Sequence, residues 1–325
     1  MDNREVIIEV NNLTKDYGFG RGVFDVSIKV HKGECYGYLG PNGAGKSTTI
    51  RHIMGFAKPQ IGEVKVFGKS TFGHTDEILG SVGYLPGEPA IPAGLDGWGF
   101  IKMMQGMRGE VNKERLDYLL DLFKFDPGMN VKEMSLGEKR KLAVVAAFMN
   151  DPDVLVLDEP TSGLDPVMQK IFIKFILEEK KRGKTILLSS HIFSEVDATC
   201  DTISIIKDGK HVSTFVAQEL KKEQNRTFII DFVDKESYLK FVNENNKFEL
   251  AFGSEDARVA LVTFPNDKYN EFFDTLSGVK IAKLQEKPFT LQDYFMSFYK
   301  EERSFGGLSG VKGNTKEGLG ENNGK

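Results

Sequence analysis

Residues 40–47 read Gly40-Pro41-Asn42-Gly43-Ala44-Gly45-Lys46-Ser47, and no other stretch constrains the chain as strongly. They fit G-x-x-x-x-G-K-[ST], with Gly40, Gly45, Lys46 and Ser47 at the fixed positions. A strand candidate, ECYGYL at 34–39, precedes them, and a helical stretch, STTIRHIMGF, follows. Glycines in such a loop let backbone N–H groups approach phosphate oxygens, and the helix start adds its positive end. Lys46 is placed to reach β- and γ-phosphates, and the Ser47 hydroxyl to ligate Mg²⁺. The bland account is a glycine-rich turn with a chance lysine, which the strand–loop–helix setting disfavours.

A second feature lies downstream. Val154-Leu155-Val156-Leu157 is an apolar run that ends in Asp158-Glu159-Pro160. Burial of the run fixes its end, so Asp158 is placed to hold Mg²⁺ directly or through water. Glu159 points differently and is placed to polarise an attacking water. Alone, an acid pair after a strand reads equally well as a solvated turn or a helix cap. The phosphate loop upstream favours chemistry. His191 follows the strand candidate TILLSS, at a strand end where ligands bind in α/β sheets.

Around these motifs, from about 5 to 220, short β-rich runs alternate with helical stretches and glycine-rich turns, which predicts an α/β layered domain. The runs at 34–39, 154–157, 185–188 and 203–206 are continuous rather than alternating in polarity, as buried strands often are. From 225 to 300 the order is FIIDFV (strand), KESYLKFVNE (helix), FELAF and ARVALVTF (strands), KYNEFFDTL (helix) and VKIAKLQ (strand), with a last helix in TLQDYFMSFY. That β-α-β-β-α-β order is the ferredoxin-like split arrangement, and its aromatics are expected to be core. Residues 301–325 carry seven glycines and few apolar residues, the composition of a flexible tail.

A chain of 325 residues is longer than one compact domain usually needs, so two are expected. The net charge of −4 offers no basic surplus for nucleic acid. LAVVAAFM at 142–149 is the longest apolar run, far short of the ~20 residues that span a bilayer. MDNREVIIEV lacks the basic start and apolar core of a secretory signal, and Cys35 and Cys200 are the only cysteines, so a reducing cytoplasm is expected.

Taken in this order, the motifs resemble those of the nucleotide-binding subunit of an ATP-binding cassette (ABC) transporter, over about residues 5–220. Tyr17 in LTKDYG resembles the aromatic residue that stacks on adenine. Residues 40–48, GPNGAGKST with Thr48 closing it, resemble the Walker A loop, and VLVLDEP resembles Walker B with its catalytic glutamate, Glu159. MSLGEKRK at 134–141 resembles the family signature, with Ser135 and Gly137 at its phosphate-contacting positions and Glu138 in place of its glutamine. Asp165 falls in the D-loop-like SGLD, and His191 resembles the switch histidine.

The resemblance implies an α/β P-loop NTPase fold over 1–222, with a helical subdomain at about 88–148. It also implies a small α+β accessory unit at 223–300, as on export-type relatives, before the tail at 301–325. It implies an ATPase that uses ATP and Mg²⁺, pairs head to tail with a second copy of itself, and drives a separate transmembrane permease, export being favoured. Such a protein would sit at the cytoplasmic face of the membrane through that permease. Read on its own, Ser135-x-x-Glu138 is also a helix capping box, and both readings can hold.

One departure stands out. Where the family usually carries a glutamine after its third core strand, residues 83–88 read Gly-Tyr-Leu-Pro-Gly-Glu, so the position is Gly87. With the altered signature, this motivates one alternative, a nucleotide-dependent regulator that barely hydrolyses. Another is a soluble cassette ATPase with no permease. The single cassette, the lack of a sustained heptad run and the acidic balance weigh against ribosome or chromosome partners.

Overall fold

The computed structural model describes residues 4–109, 112–219, 225–245, 247–254, 256–287, 291–292 and 294–295. Strands β1 (Val6–Asp16) and β2 (Gly22–His31) pair antiparallel, and both bury one side: Ile8, Val10 and Leu13 against Val26, Ile28 and Val30. Strand β3 (Cys35–Leu39) runs into the glycine-rich loop and helix α1 (Lys46–Ile53). Strands β4 (Ile61–Val66) and β5 (Lys69–Ser70) then complete a first sheet in the order β2-β1-β4-β5.

The second sheet is the structural centre. After helix α2 (Thr75–Ser81) comes strand β6 (Val82–Leu85). Helices α3 (Gly97–Arg108), α4 (Lys113–Leu122) and α5 (Leu136–Phe148) separate it from strand β7 (Val154–Asp158). Helix α6 (Pro166–Lys181), strand β8 (Thr185–Ser190), helix α7 (Phe193–Thr199) and strands β9 (Thr202–Lys207) and β10 (Lys210–Val216) follow. The order is β10-β9-β3-β8-β7-β6, with β9, β3, β8, β7 and β6 parallel.

The central strands β3, β7 and β8 are buried throughout because each face meets a different core. Leu155, Leu157, Ile186 and Leu188 face the helices, whereas Val154, Val156, Leu187, Tyr36 and Tyr38 face the first sheet. The period of two along a strand thus divides one run between two cores. Helix α5 is buried almost all round from Leu142 to Phe148, and among the described residues no helix is long and apolar enough to cross a membrane. Cys35 and Cys200 are free, buried neighbours with their sulfurs 3.8 Å apart.

In the helical region, Phe100 and Ile101 are core, whereas Trp98 is 47% exposed. The N-cap Asp96 accepts from Gly99 N at 2.7 Å, which starts α3 with Trp98 in its first, outward turn.

A third sheet contains β11 (Arg226–Phe232), β12 (Glu249–Ser254), β13 (Val259–Phe264) and β14 (Ile281–Lys287), in the antiparallel order β12-β13-β11-β14. Helix α8 (Lys235–Glu244) joins β11 to β12, and helix α9 (Tyr269–Thr275) joins β13 to β14, which is the split β-α-β connectivity. Its core is aromatic: Phe264 and Phe272 stack with centroids 4.3 Å apart, beside Phe228, Phe232 and Phe241. Of the segment TLQDYFMSFY, Leu291, Gln292, Tyr294 and Phe295 are described and helical; its remainder, the 222/223 boundary and the expected tail lie outside the described residues. Phe295 packs edge-on against Phe193 of α7 and Tyr294 against Phe215 of β10, each at 5.0 Å.

Candidate active site

Parallel alignment gathers the loops. Leu39 pairs with Ser190, Asp158 with Ser189, and Leu85 with Leu157. The segments that begin at Gly40, Pro86, Glu159 and His191 therefore leave one edge of the sheet together, at its carboxyl ends.

The loop from Gly40 to Ser47 folds back on itself, with Ala44 N donating to the Pro41 carbonyl at 3.2 Å. Gly45 has φ of 105°, and a Cβ there would meet Val23 Cγ1 at 2.6 Å, so both backbone and space require glycine. Gly45 is also the N-cap of α1 and supplies no side-chain acceptor, which leaves the first-turn N–H groups for a ligand anion. Lys46 is buried; its Nζ donates to the carbonyls of Gly40 at 2.7 Å and Pro41 at 3.1 Å and pairs with Glu159 Oε1 at 2.9 Å.

Asp158 is buried at the end of β7, where Ser189 Oγ donates to its Oδ1 at 2.5 Å. Glu159 has φ of 48°, a left-handed conformation that costs a non-glycine residue about 1 kcal/mol. Its N–H, held at 3.1 Å by the Ser189 carbonyl, anchors that turn. The turn sends the Glu159 carboxylate away from Asp158, toward Lys46 and toward His191, whose Nδ1 lies 2.7 Å from Glu159 Oε2.

Behind His191, Ser190 Oγ donates to Glu195 Oε2 at 2.6 Å and accepts from Ile192 N at 2.9 Å. Burial pushes the Glu195 carboxyl up to about 7, although hydrogen bonds from Ser190 and Thr161 oppose the rise.

Two adjoining clefts open at this edge. One, of about 550 Å³, is lined by Asn42, Ser47, Tyr84, Gly87, Asp158, Glu159 and His191 among others. The other, of about 320 Å³, is lined by Tyr17, Arg21, Asn42, Gly43, Gly45 and Lys46 to Thr48. Ser47, Asn42 and Glu159 belong to both. Tyr17 is 49% exposed, with the Lys15 ammonium 5.5 Å from its ring centroid. The structure thus brings together the sequence-predicted residues Tyr17, Gly40, Asn42, Gly43, Gly45, Lys46, Ser47, Thr48, Asp158, Glu159 and His191. Pro41 is exposed on the loop, and buried Ala44 packs inward.

Ser135, Gly137, Glu138 and Asp165 line neither cleft. Ser135 caps α5: its Oγ accepts from Glu138 N, while Glu138 Oε2 accepts from Ser135 N at 2.7 Å, the expected capping box. Those hydrogen bonds from Ser135 hold the Glu138 carboxyl below the usual carboxylate range. Asp165 caps α6, accepting from the N–H groups of Val167 and Met168, and the Met168 N–H lowers its pKa. Within one copy these residues are structural.

Sequence reasoning missed Ser189, Glu195 and Arg140. Ser189 was visible as the penultimate residue of the TILLSS strand, one position before the Ser190-His191 end, but its pairing with Asp158 is a property of strand register.

Comparison with known proteins agrees with this geometry. Residues 23–162 match the family described as ABC transporter. The chain is 31% identical over 295 residues to the bacitracin transport ATP-binding protein BcrA of Bacillus licheniformis, covering 89% of this chain and 96% of that one. It is 35% identical over 212 residues to the Nod factor export ATP-binding protein I of Burkholderia orbicola, covering 63% and 69% of the two chains. A solved ATP-binding subunit of an ABC transporter superposes with a TM-score of 0.60 at 27% identity, over 66% of this chain and 92% of that one. A dimeric ATP-binding cassette bound to ADP and Pi shares the fold, with a TM-score of 0.59 at 21% identity over 65% and 99% of the two chains. The chain belongs to the ABC transporter family, as an ATP-binding subunit of its ATPase class.

Proposed function

We propose that two copies of this chain bind and hydrolyse ATP between them and use the closing motion to drive export through a separate membrane permease. The observation that carries the reading is the convergence of Lys46, Asp158, Glu159 and His191 at one sheet edge, next to a free helix start.

ATP would lie with its adenine on Tyr17 and its phosphates along residues 40–48, where main-chain N–H groups and the Lys46 ammonium meet their charge. The donor set suits Mg²⁺ as a shared ion: Ser47 and Asp158 offer hard oxygens in one cleft, and no cluster of three or more His, Cys, Asp or Glu side chains exists among the described residues. Mg²⁺ favours one or two protein oxygens plus substrate phosphates over an all-protein cage. Bound there, it would neutralise charge developing on the transferred phosphoryl group. Glu159 orients and polarises the attacking water, and His191 holds the Glu159 carboxylate and faces the γ-phosphate.

Ser135 and Gly137 are outside both clefts, so their contact with nucleotide needs a second copy placed head to tail, with the start of α5 toward the partner's γ-phosphate. ATP shared across that interface favours the closed pair, and product release opens it. The relatives named for bacitracin transport and Nod factor export favour export as the direction, with the chain held at the cytoplasmic face by its permease.

The test is purification of the tagged protein from its native membranes in mild detergent. A polytopic permease in stoichiometric amount is the expected companion. A protein that comes away alone, or with ribosomes or DNA-bound proteins, overturns the transport reading and leaves the ATP chemistry to stand by itself.

A further inference from the structure

Arg140 is a charged side chain taken out of water. It sits on α5, five residues beyond Ser135, and is only 2% exposed. A buried guanidinium is costly unless its donors are matched. Here they are matched by carbonyls from two loops: NH1 donates to Pro86 O at 2.6 Å, NH2 to Gly87 O, and Nε to Ser162 O at 2.9 Å. Pro86 and Gly87 follow β6, and Ser162 follows the Asp158-Glu159 pair. One side chain therefore binds the helix that begins at Ser135 to the loops on both sides of the acidic pair.

Gly87 supplies the second half of the argument. A Cβ at Gly87 would lie 3.1 Å from Asp158 Oδ2 and 3.4 Å from Asp158 Cγ. The Gly87 main chain is thus pressed against the carboxylate on the side that Ser189 does not occupy. With no side chain at 87, the connection from this segment to Asp158 runs through main chain, and the guanidinium holds that main chain by its carbonyl. A planar fork with five donors serves three carbonyls in this way; an ammonium does not.

We infer that Arg140 is a positioning residue for hydrolysis: it sets the distance of the Pro86–Gly87 peptide from Asp158 and makes that peptide, the Ser162 loop and the Ser135 helix move as one piece. The inference rests on the ATPase reading of the site. A nucleotide engaged at the start of α5 is then registered at Asp158 through one rigid side chain, without a contact between the two.

The experiment compares full-length parent, Arg140→Lys, Gly87→Ala and the double variant. Three quantities are read: thermal melting, equilibrium binding of a fluorescent ATP analogue, and ATPase rate against Mg²⁺ concentration. Arg140→Lys is expected to keep analogue affinity within about twofold, to lower kcat about tenfold, and to raise half-saturating Mg²⁺ several-fold, the size typical of lost outer-shell support. Gly87→Ala, which leaves the guanidinium in place and moves the peptide, is expected to give the same split, and the double variant to be no worse than either single one.

Parental kcat and parental Mg²⁺ dependence in Arg140→Lys overturn the inference, as do effects of the two substitutions that simply multiply. A joint fall in melting temperature and analogue affinity, with the Mg²⁺ dependence unmoved, marks a merely structural arginine and overturns it too. Should Arg140→Lys not fold, Gly87→Ala decides alone, and an unchanged Mg²⁺ dependence in it refutes the inference. A parent that binds the analogue but never turns over ATP sinks the ATPase reading instead; the Mg²⁺ dependence of analogue binding then decides Arg140.

Discussion

His191 Nδ1 and Glu159 Oε2 stand 2.7 Å apart, so the carboxylate at the end of β7 is oriented by the residue at the end of β8. The other oxygen, Oε1, pairs with Lys46 at 2.9 Å. Glu159 is thus held from both sides at the mouth of the phosphate loop. Replacement by glutamine keeps the size and removes the negative charge. Glu159→Gln is expected to bind ATP normally, to accumulate as a closed dimer, and to hydrolyse at least ~100-fold more slowly. His191→Ala should act on the same step, so the double variant should fall little below the single ones. Single-turnover hydrolysis with gel filtration reads both; parental turnover in Glu159→Gln refutes the assignment.

Lys46 gives three contacts, to Gly40 O, Pro41 O and Glu159. The two carbonyl contacts lie within the loop itself, and the third crosses to the end of β7 at the cleft rather than into the core. Lys46→Ala should therefore leave melting nearly unchanged while weakening nucleotide binding by about tenfold or more, the scale of a charge-assisted hydrogen bond. Titration of fluorescent ATP checks this, and unchanged affinity would remove Lys46 from the phosphate site.

Ser189 donates to Asp158 Oδ1 at 2.5 Å and fixes the face that the carboxylate turns to the cleft. Ser189→Ala frees that carboxylate to rotate. Half-saturating Mg²⁺ for hydrolysis is expected to rise about tenfold, with ATP affinity nearly preserved. The Mg²⁺ titration is the measurement, and an unmoved midpoint excludes the role.

Glu195 carries the clearest dependence on pH. Burial raises its folded pKa to about 7, from an ordinary value of 4.5. The folded chain holds this proton more tightly than the unfolded chain. The resulting stability is complete below pH 4.5 and is lost as pH rises through 7. A shift of that size is worth on the order of 3 kcal/mol across the window. Glu195→Gln cannot ionise and still accepts from Ser190. Its melting temperature should change less than the parent's between pH 5.5 and 8.5 by about 5 °C or more, as the linkage implies. Parallel melting curves across that range contradict the ionisation.

Much of this was legible beforehand because the informative residues are local. A loop of fixed spacing, an acid pair after four apolar residues, and a histidine after TILLSS each announce themselves within ten positions. The buried strands were equally plain, since runs such as 154–157 serve two cores and so carry no polar residue. The first sheet was harder to see. Strand β1 reads VIIEVNNLTKD, and its polar positions dilute the pattern because one face of the strand lies outside the core. Trp98 is apolar, yet it stands on the exposed side of α3 while Phe100 and Ile101 go to the core, a division that only the helix's placement decides. Arg140 sat in plain view within LGEKRK as one more basic residue of a helix. Its importance lies in carbonyls 53, 54 and 22 positions away, which only the fold brings near.

The short return of the chain at 291–295 has a mechanical meaning. After β10 the polypeptide leaves the cassette, builds the third sheet, and then comes back to place Phe295 on Phe193 and Tyr294 on Phe215. Phe193 opens the helix that begins two residues after His191. Phe215 belongs to the strand from which the excursion sets out. The residues that follow the third sheet are therefore seated on α7 and β10, and one of the two contacts lies beside the histidine loop. A shift of Phe295 would thus be felt at Phe193, two residues from the histidine that orients Glu159.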